Sequence, residues 1–248
     1  MIAVIGGSGL TQFAGLELDD RRRVRTPYGE PSAALSFGRV SGRPVVFLAR
    51  HGDEHDIPPH QVNYRANLWA LSECAPSGVV AVAAVGGIRR DLRPGDLLIP
   101  HQIIDYTWGR ESSYHVWPER AVAHVDFTEP YDAALRRRLC QAAAAIGVPV
   151  GDSAVYAATQ GPRLETAAEI DRLERDGADV VGMTGMPEAV LARELALPYA
   201  AVNVVANYAA GRGEAVGEAL DMEAIQAVLR ESMPSVRAIL LELLANDD

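Results

Sequence analysis

An acidic chain of 248 residues, 48% hydrophobic and 23% charged, is long enough to bury a sizeable core and too apolar for disorder. Its formal net charge of −10 argues against nucleic acid or an anionic membrane as the main partner, while leaving room for a local basic pocket that holds a small anion. Cys74 and Cys140 stand in no CxxC arrangement, no basic leader precedes the first apolar run and no stretch is apolar enough to span a bilayer, so the expectation is a cytoplasmic protein with a single α/β domain over residues 1–248.

The chain opens with an apolar run over residues 2–5, a buried strand that passes straight into Gly6-Gly7-Ser8-Gly9. Glycines at a strand end let backbone N–H groups approach a ligand, and Ser8 adds a hydroxyl, which suits an oxyanion; alone, the run equally describes a tight turn. Gln12 stands where a dinucleotide fingerprint needs its third glycine, so that cofactor reading falls. Residues 34–37 and 44–49 flank Ser41-Gly42-Arg43 as a hairpin. The second strand ends in Arg50-His51-Gly52-Asp53-Glu54-His55, with His60 after Pro58-Pro59. Three histidines so close raise a metal reading, but the prolines and the lack of an HExxH helix favour an extended loop. An arginine and a histidine at a strand end can instead clamp a phosphate.

Residues 61–73 read as a helix, and residues 78–85 as a buried strand that again ends in glycines, Gly86-Gly87. Short strands follow at 97–99 and 102–106. Residues 108–130 show no period and carry His115 and His124; this longest irregular stretch is a candidate binding or subunit-contact loop. A helix over 131–146 carries Arg136-Arg137-Arg138, read as a solvated face, and a strand over 154–158 leads through Gln160-Gly161-Pro162-Arg163 into a helix over 165–175 ended by Gly177. Residues 179–208 read as strand, helix, strand, with Pro187-Glu188 as the helix start and Pro198 as its stop. If the two strands are parallel, Met183-Thr184 and Asn207-Tyr208 lie on one rim, where open α/β sheets bind ligands. Asn207, directly after an apolar strand, is then a candidate ligand contact, or else caps a turn.

Six runs, IGGSGL at 5–10, RHG…H…VNYRAN at 50–67, VGGIRRDLRPGD at 85–96, QGPRLET at 160–166, GMTGMPEAVLARE at 182–194 and ANY at 206–208, resemble the methylthioadenosine phosphorylase branch of the trimeric purine nucleoside phosphorylase family. They come in that family's order and cover nearly the whole chain. The resemblance implies a twisted mixed sheet surrounded by helices and a homotrimer with sites near subunit interfaces. It also implies phosphorolysis of a purine nucleoside with inorganic phosphate as co-substrate, no metal and no further cofactor. Carried over, Ser8, Arg50, His51, the backbone around Ala83 and Ala84, and Thr184 would hold phosphate. Met183 would lie at the ribose, and His124 would reach the 5′ end of a neighbouring subunit's substrate. The branch usually has threonine where Ala83 stands, so one hydroxyl contact is missing here. The chemistry needs a fixed anion beneath an oxocarbenium-like sugar and a hydrogen-bonding partner for the departing base, for which Asn207 is the catalytic candidate; it needs no covalent nucleophile.

The sequence departs from that branch at the base. In the methylthioadenosine branch that the chain resembles, an aspartate stands at the position of Asn207, a second at that of Ala209, and a small residue at that of Glu165. An amide can donate to a 6-oxo group and accept from a protonated N7, whereas a carboxylate suits a 6-amino group. Glu165 stands where 6-oxopurine enzymes of the wider family also have glutamate, and its ionised carboxylate accepts from N1–H; it also fits a plain acid in a helix's first turn. At the sugar end, no histidine follows His124 to meet a 5′-hydroxyl. The alignment puts Met222 there, an apolar wall suited to a 5′-methylthio group, unless Met222 is ordinary helix core. Together these choices point to S-methyl-5′-thioinosine as substrate, with hypoxanthine and 5-methylthioribose 1-phosphate as products. Methylthioadenosine, or inosine and guanosine, are the alternatives. A water-using nucleosidase and a silent nucleoside-binding protein are the competing classes.

Overall fold

Residues 1–10, 13, 15–115, 123–213 and 221–246 are described in the computed structural model. Among the described residues the elements follow in the order β1 (Ile2–Gly6), β2 (Glu17–Arg22), β3 (Leu35–Val40), β4 (Arg43–Ala49), α1 (Tyr64–Ser72), β5 (Gly78–Gly87), β6 (Leu97–Leu98), β7 (Gln102–Asp105), α2 (Ala133–Ala145), β8 (Val155–Ala158), α3 (Ala167–Arg175), β9 (Val180–Gly182), α4 (Gly185–Glu194), β10 (Tyr199–Tyr208) and α5 (Met222–Ala245). The strands form one mixed sheet in the order β2-β3-β4-β1-β5-β9-β8-β7, and β10 joins it by pairing with β5 and β6.

The apolar runs become strands because both faces of the sheet are covered. Along β10, Ala200, Val202, Val204 and Ala206 pack with Leu135 and Leu139 of α2 and with Leu229, Val236 and Leu240 of α5. The alternate residues Tyr199, Ala201 and Val205 pack with Leu68 of α1 and with Ala189 and Leu191 of α4. Ser41 and Gly42, both at positive φ, turn the β3–β4 hairpin that their sequence announces. Asn63 caps α1, and Thr166 with Glu169 forms a capping box on α3.

Three expectations change, and one strand appears that the sequence does not announce. β2, of sequence ELDDRR, is an edge strand paired with β3; it has no apolar alternation to announce it, and its charges suit an edge that must not recruit another strand. The basic turn of α2 is not simply solvated, because Arg136 donates to the carbonyls of Pro100 at 2.7 Å and of Asp152. α3 begins at Ala167, so Glu165 lies outside the helix.

The largest change concerns β9 and β10. β10 runs parallel to β5 along its length, while β9 meets only Gly86 and Gly87 of β5 and runs antiparallel to it. The two strands around α4 are therefore not a parallel pair. On its other edge β5 pairs with β1 at residues 78–81 and with β9 at residues 86 and 87. Between those partners the edge at residues 82–85 carries neither strand. The end of β9 points back toward this gap, and the end of β10 arrives beside it. Sheet branching, rather than a crossover, thus brings Met183-Thr184 and Asn207 together.

Candidate active site

A cavity of about 410 Å³ opens at the gap beside β5. It falls within the range of small-ligand sites. Ser8, Arg50, His51, Ala83, Ala84, Glu165, Met183, Thr184, Asn207, Ala209 and Met222 all line it. His124 is exposed and lies outside the cavity of its own chain. The cavity is also walled by His55, Ile57, Pro58, Pro59, Pro162, Leu164 and Ile225, so its rim is largely apolar.

The end of the cavity that holds Ser8, Arg50, His51 and Thr184 is built from the termini of β1, β4 and β9. Close packing decides the glycines there: a Cβ on Gly7 would stand 2.4 Å from the Val82 carbonyl oxygen and 2.7 Å from a guanidinium nitrogen of Arg50. Arg50 is almost wholly buried and donates from Nη1 to the Val82 carbonyl at 2.9 Å. Its Nε and Nη2 hold the carboxylate of Glu188 in α4, each at 2.9 Å. Burial works against the cation, but the Glu188 carboxylate outweighs it and keeps Arg50 charged. The sequence reading missed Glu188, taking it for a helix-start acid; an acid in a first turn looks the same whether it faces solvent or an arginine 138 residues away. The fork read as free for phosphate is thus largely committed, leaving Arg50 one N–H on each of Nη1 and Nη2.

His51 donates from Nδ1 to the Ile57 carbonyl at 2.8 Å, which leaves Nε2 as an acceptor. Desolvation and the adjacent Arg50 cation push its pKa down to about 4, so the ring is neutral at neutral pH. His55 meets Ser8 Oγ at 3.0 Å. The two rings stand 4.9 Å apart, centroid to centroid. The histidine cluster therefore has hydrogen-bonding work of its own. Among the described residues, no group of three His, Cys, Asp or Glu could hold a metal ion. Thr184 makes no side-chain cap bond to α4; its side chain and its backbone N–H, the latter at 3.2 Å, both meet Tyr156 Oη.

The opposite end carries Glu165 and Asn207. Thr159 Oγ1 donates to Glu165 Oε1 at 2.6 Å. Asn207 falls inside β10 just after a register shift between Val205 and Asn207, and its Nδ2 donates to the Tyr208 carbonyl at 2.6 Å. That bulge turns the amide toward the cavity and is absent from the apolar pattern of the strand. Met222 is the first residue of α5 and is 57% exposed, so it is not helix core.

One cavity thus has Arg50, His51 and Thr184 at one end and Glu165 and Asn207 at the other, on the mixed sheet of a phosphorylase-like fold. The phosphorylase superfamily model matches residues 1–245, and the chain belongs to that family. A probable S-methyl-5′-thioinosine phosphorylase of Pseudomonas syringae pv. tomato is 51% identical over 98% of both chains. A 6-oxopurine nucleoside phosphorylase of Pyrococcus furiosus is 48% identical over 85% of this chain and 80% of its own length. Among solved structures, methylthioadenosine phosphorylase from Schistosoma mansoni in complex with adenine superposes with a TM-score of 0.93 at 34% identity, covering 98% of this chain and 90% of that one. The expected fold, a mixed sheet surrounded by helices, is the observed one.

Proposed function

We propose that the chain cleaves S-methyl-5′-thioinosine with inorganic phosphate, releasing hypoxanthine and 5-methylthioribose 1-phosphate. The observation that carries this reading is the Thr159–Glu165 bond. It commits one carboxylate oxygen to a donor and leaves Oε2 as an acceptor, which matches N1–H of a 6-oxopurine and opposes the N1 lone pair of adenine. Asn207 supplies the second half: its remaining N–H donates to O6, and Oδ1 accepts from N7 as the leaving base is protonated. Relatives named for methylthioinosine and for 6-oxopurine nucleosides support the same choice of base.

Phosphate lies between Ser8, Arg50, His51, the backbone of Ala83 and Ala84, and Thr184, beneath the sugar. Neutral His51 accepts from a phosphate hydroxyl through Nε2, and Arg50 offers its two uncommitted N–H groups. Phosphate then attacks C1′ as the glycosidic bond lengthens, the anion stabilises the oxocarbenium-like sugar, and Asn207 stabilises the purine as negative charge gathers on it. Ala209 leaves the base edge without a second acid. Met183 packs on the ribose. Met222, Ile225 and Leu164 form an apolar wall for the 5′-methylthio group, where a hydroxyl would lose about 1–3 kcal/mol unpaired. We assign the protein to the cytoplasm as one catalytic domain that works as a homotrimer, with His124 reaching a neighbour's site; no described helix is long and apolar enough to cross a membrane.

Turnover of methylthioinosine, methylthioadenosine, inosine and adenosine at saturating phosphate tests the reading. Methylthioinosine should be fastest, and release of base should require phosphate. Faster cleavage of inosine would favour a 6-oxopurine nucleoside phosphorylase and remove Met222 from substrate choice. Equal cleavage of methylthioadenosine would sink the base assignment, and phosphate-independent cleavage would indicate a nucleosidase.

A further inference from the structure

We propose that Arg110 is a positioning residue that fixes the separation between the base-binding and the sugar–phosphate sides of the cavity. The inference rests on the nucleoside reading above. Arg110 lies outside the cavity, in the irregular segment after β7, and it belongs to no helix or strand.

β8 and β9 are parallel neighbours whose register ends at Ala158 opposite Gly182. One further bond, from Thr159 N–H to the Gly182 carbonyl at 2.8 Å, extends the pairing. Beyond it the chains serve different ends of the cavity. The segment after β8 leads to Glu165, and the segment after β9 carries Met183 and Thr184. Arg110 takes over where that pairing stops. Its Nη1 donates to the carbonyls of Met183 at 2.8 Å and Met186 at 2.6 Å. Its Nη2 donates to the carbonyls of Gln160 at 2.7 Å and Thr159 at 3.3 Å. Its Nε donates to Gln160 Oε1 at 3.2 Å, the same oxygen that accepts from Trp108 N–H at 3.1 Å.

One side of the fork therefore holds the β9 segment and the other the β8 segment. The plane is steadied by Tyr64, whose ring centroid lies 5.5 Å from the guanidinium carbon. Among the described residues this guanidinium pairs with no carboxylate; its charge is met by carbonyl dipoles from the two segments. A planar, rigid fork can hold two diverging chains at one spacing, whereas a lysine presents a single nitrogen on a flexible stem. The spacing matters because a nucleoside spans both sides at once. Each side can bind its own fragment wherever it sits, but the glycosidic bond is aligned with phosphate only at one separation.

The test uses the full chain with Arg110→Met and Arg110→Lys, measuring kcat and KM for methylthioinosine at saturating phosphate. Calorimetric Kd values for inorganic phosphate alone and for hypoxanthine alone, with thermal unfolding, complete it. The fragments should bind both variants within about threefold of wild type, while kcat falls about 100-fold in Arg110→Met and less in Arg110→Lys. A folded Arg110→Met with kcat within about threefold of wild type overturns the proposal. So does a parallel loss of affinity for both fragments, or failure of both variants to fold, since each makes Arg110 a support of the fold rather than of the spacing. A wild type that releases no base from any of the four nucleosides defeats the functional reading itself, which separates that failure from the clamp's.

Discussion

Asn207 commits one of its two N–H donors to the protein and Glu165 one of its two carboxylate oxygens, and that sets what remains for a base. Asn207 Nδ2 donates to the Tyr208 carbonyl, so an aspartate there would set a carboxylate oxygen against a carbonyl oxygen about where the 2.6 Å bond now lies. Asn207→Asp should therefore lower kcat/KM for methylthioinosine by at least about 100-fold, since it opposes both Tyr208 and O6. It should rescue methylthioadenosine only in part, because Glu165 still faces adenine N1. Adding Glu165→Ser and Ala209→Asp should invert the preference, at some cost in stability because Ala209 is buried. Steady-state kinetics on the two nucleosides check this, and an unchanged preference in Asn207→Asp would remove it from base recognition. Asparagine and glutamate were legible in the sequence as polar residues at the right motifs. Their partners Tyr208 and Thr159 were not, because a hydroxyl six residues from a carboxylate leaves no periodic mark.

Between elements, the Arg50–Glu188 pair ties the end of β4 to α4 across the sheet interior. Both side chains are 1% exposed, so removing one strands the other in an apolar surrounding. Arg50→Ala should lose about 3–5 kcal/mol of stability, which would blur any phosphate measurement on that variant alone. Arg50→Met with Glu188→Leu should recover most of that loss in thermal denaturation and still show a phosphate KM raised at least tenfold. A double variant with normal phosphate dependence would make the pair purely structural. At the start of α5, Met222 is exposed at the cavity mouth, so its replacement should cost little stability. Met222→His should raise the ratio of kcat/KM for inosine over methylthioinosine by about tenfold to a hundredfold, by giving the 5′-hydroxyl a partner. An unchanged ratio would move the 5′ wall elsewhere, to Leu164 or Ile225.

For the molecule as a whole, the neutral burial of His51 sets an acid limit. Its pKa is about 4 when folded against an ordinary value of 6.5, so below that ordinary value the unfolded chain takes up a proton that the folded chain refuses. Stability from this residue is complete above about pH 6.5 and is lost as pH falls toward 4, at about 1.4 kcal/mol per unit and up to about 3 kcal/mol in all. Urea denaturation of wild type and of His51→Gln between pH 7 and pH 4 should show the wild type losing more. Parallel curves would mean that His51 is not the group responsible. Phosphate should shrink the difference, since a bound anion beside the ring favours its protonated form.

Local chemistry settled much of this fold. Apolar runs near 2–5, 78–85 and 199–205 could only be strands buried on both faces, Ser41-Gly42 could only turn a hairpin of that kind, and Pro198 lies just past the end of α4, whose helical backbone resumes at Pro187 after a kink at Met186. The glycine-ended strands also marked where a ligand could approach the backbone. What the sequence could not decide was direction and partnership. β9 reads the same whether it runs with β10 or against it, and only the gap in the pairing of β5 at residues 82–85 makes one cavity of Ser8, Thr184 and Asn207. Glu188 and Arg110 belong to the same category: an acid in a helix turn and an arginine in an irregular loop look solvated until the chain folds over them. Periodicity records which side of an element is buried, because that depends on near neighbours in the chain. It records nothing of hydrogen bonds made across 138 or 73 residues, because those are chosen by where the sheet brings the elements, and that is a property of the tertiary structure alone.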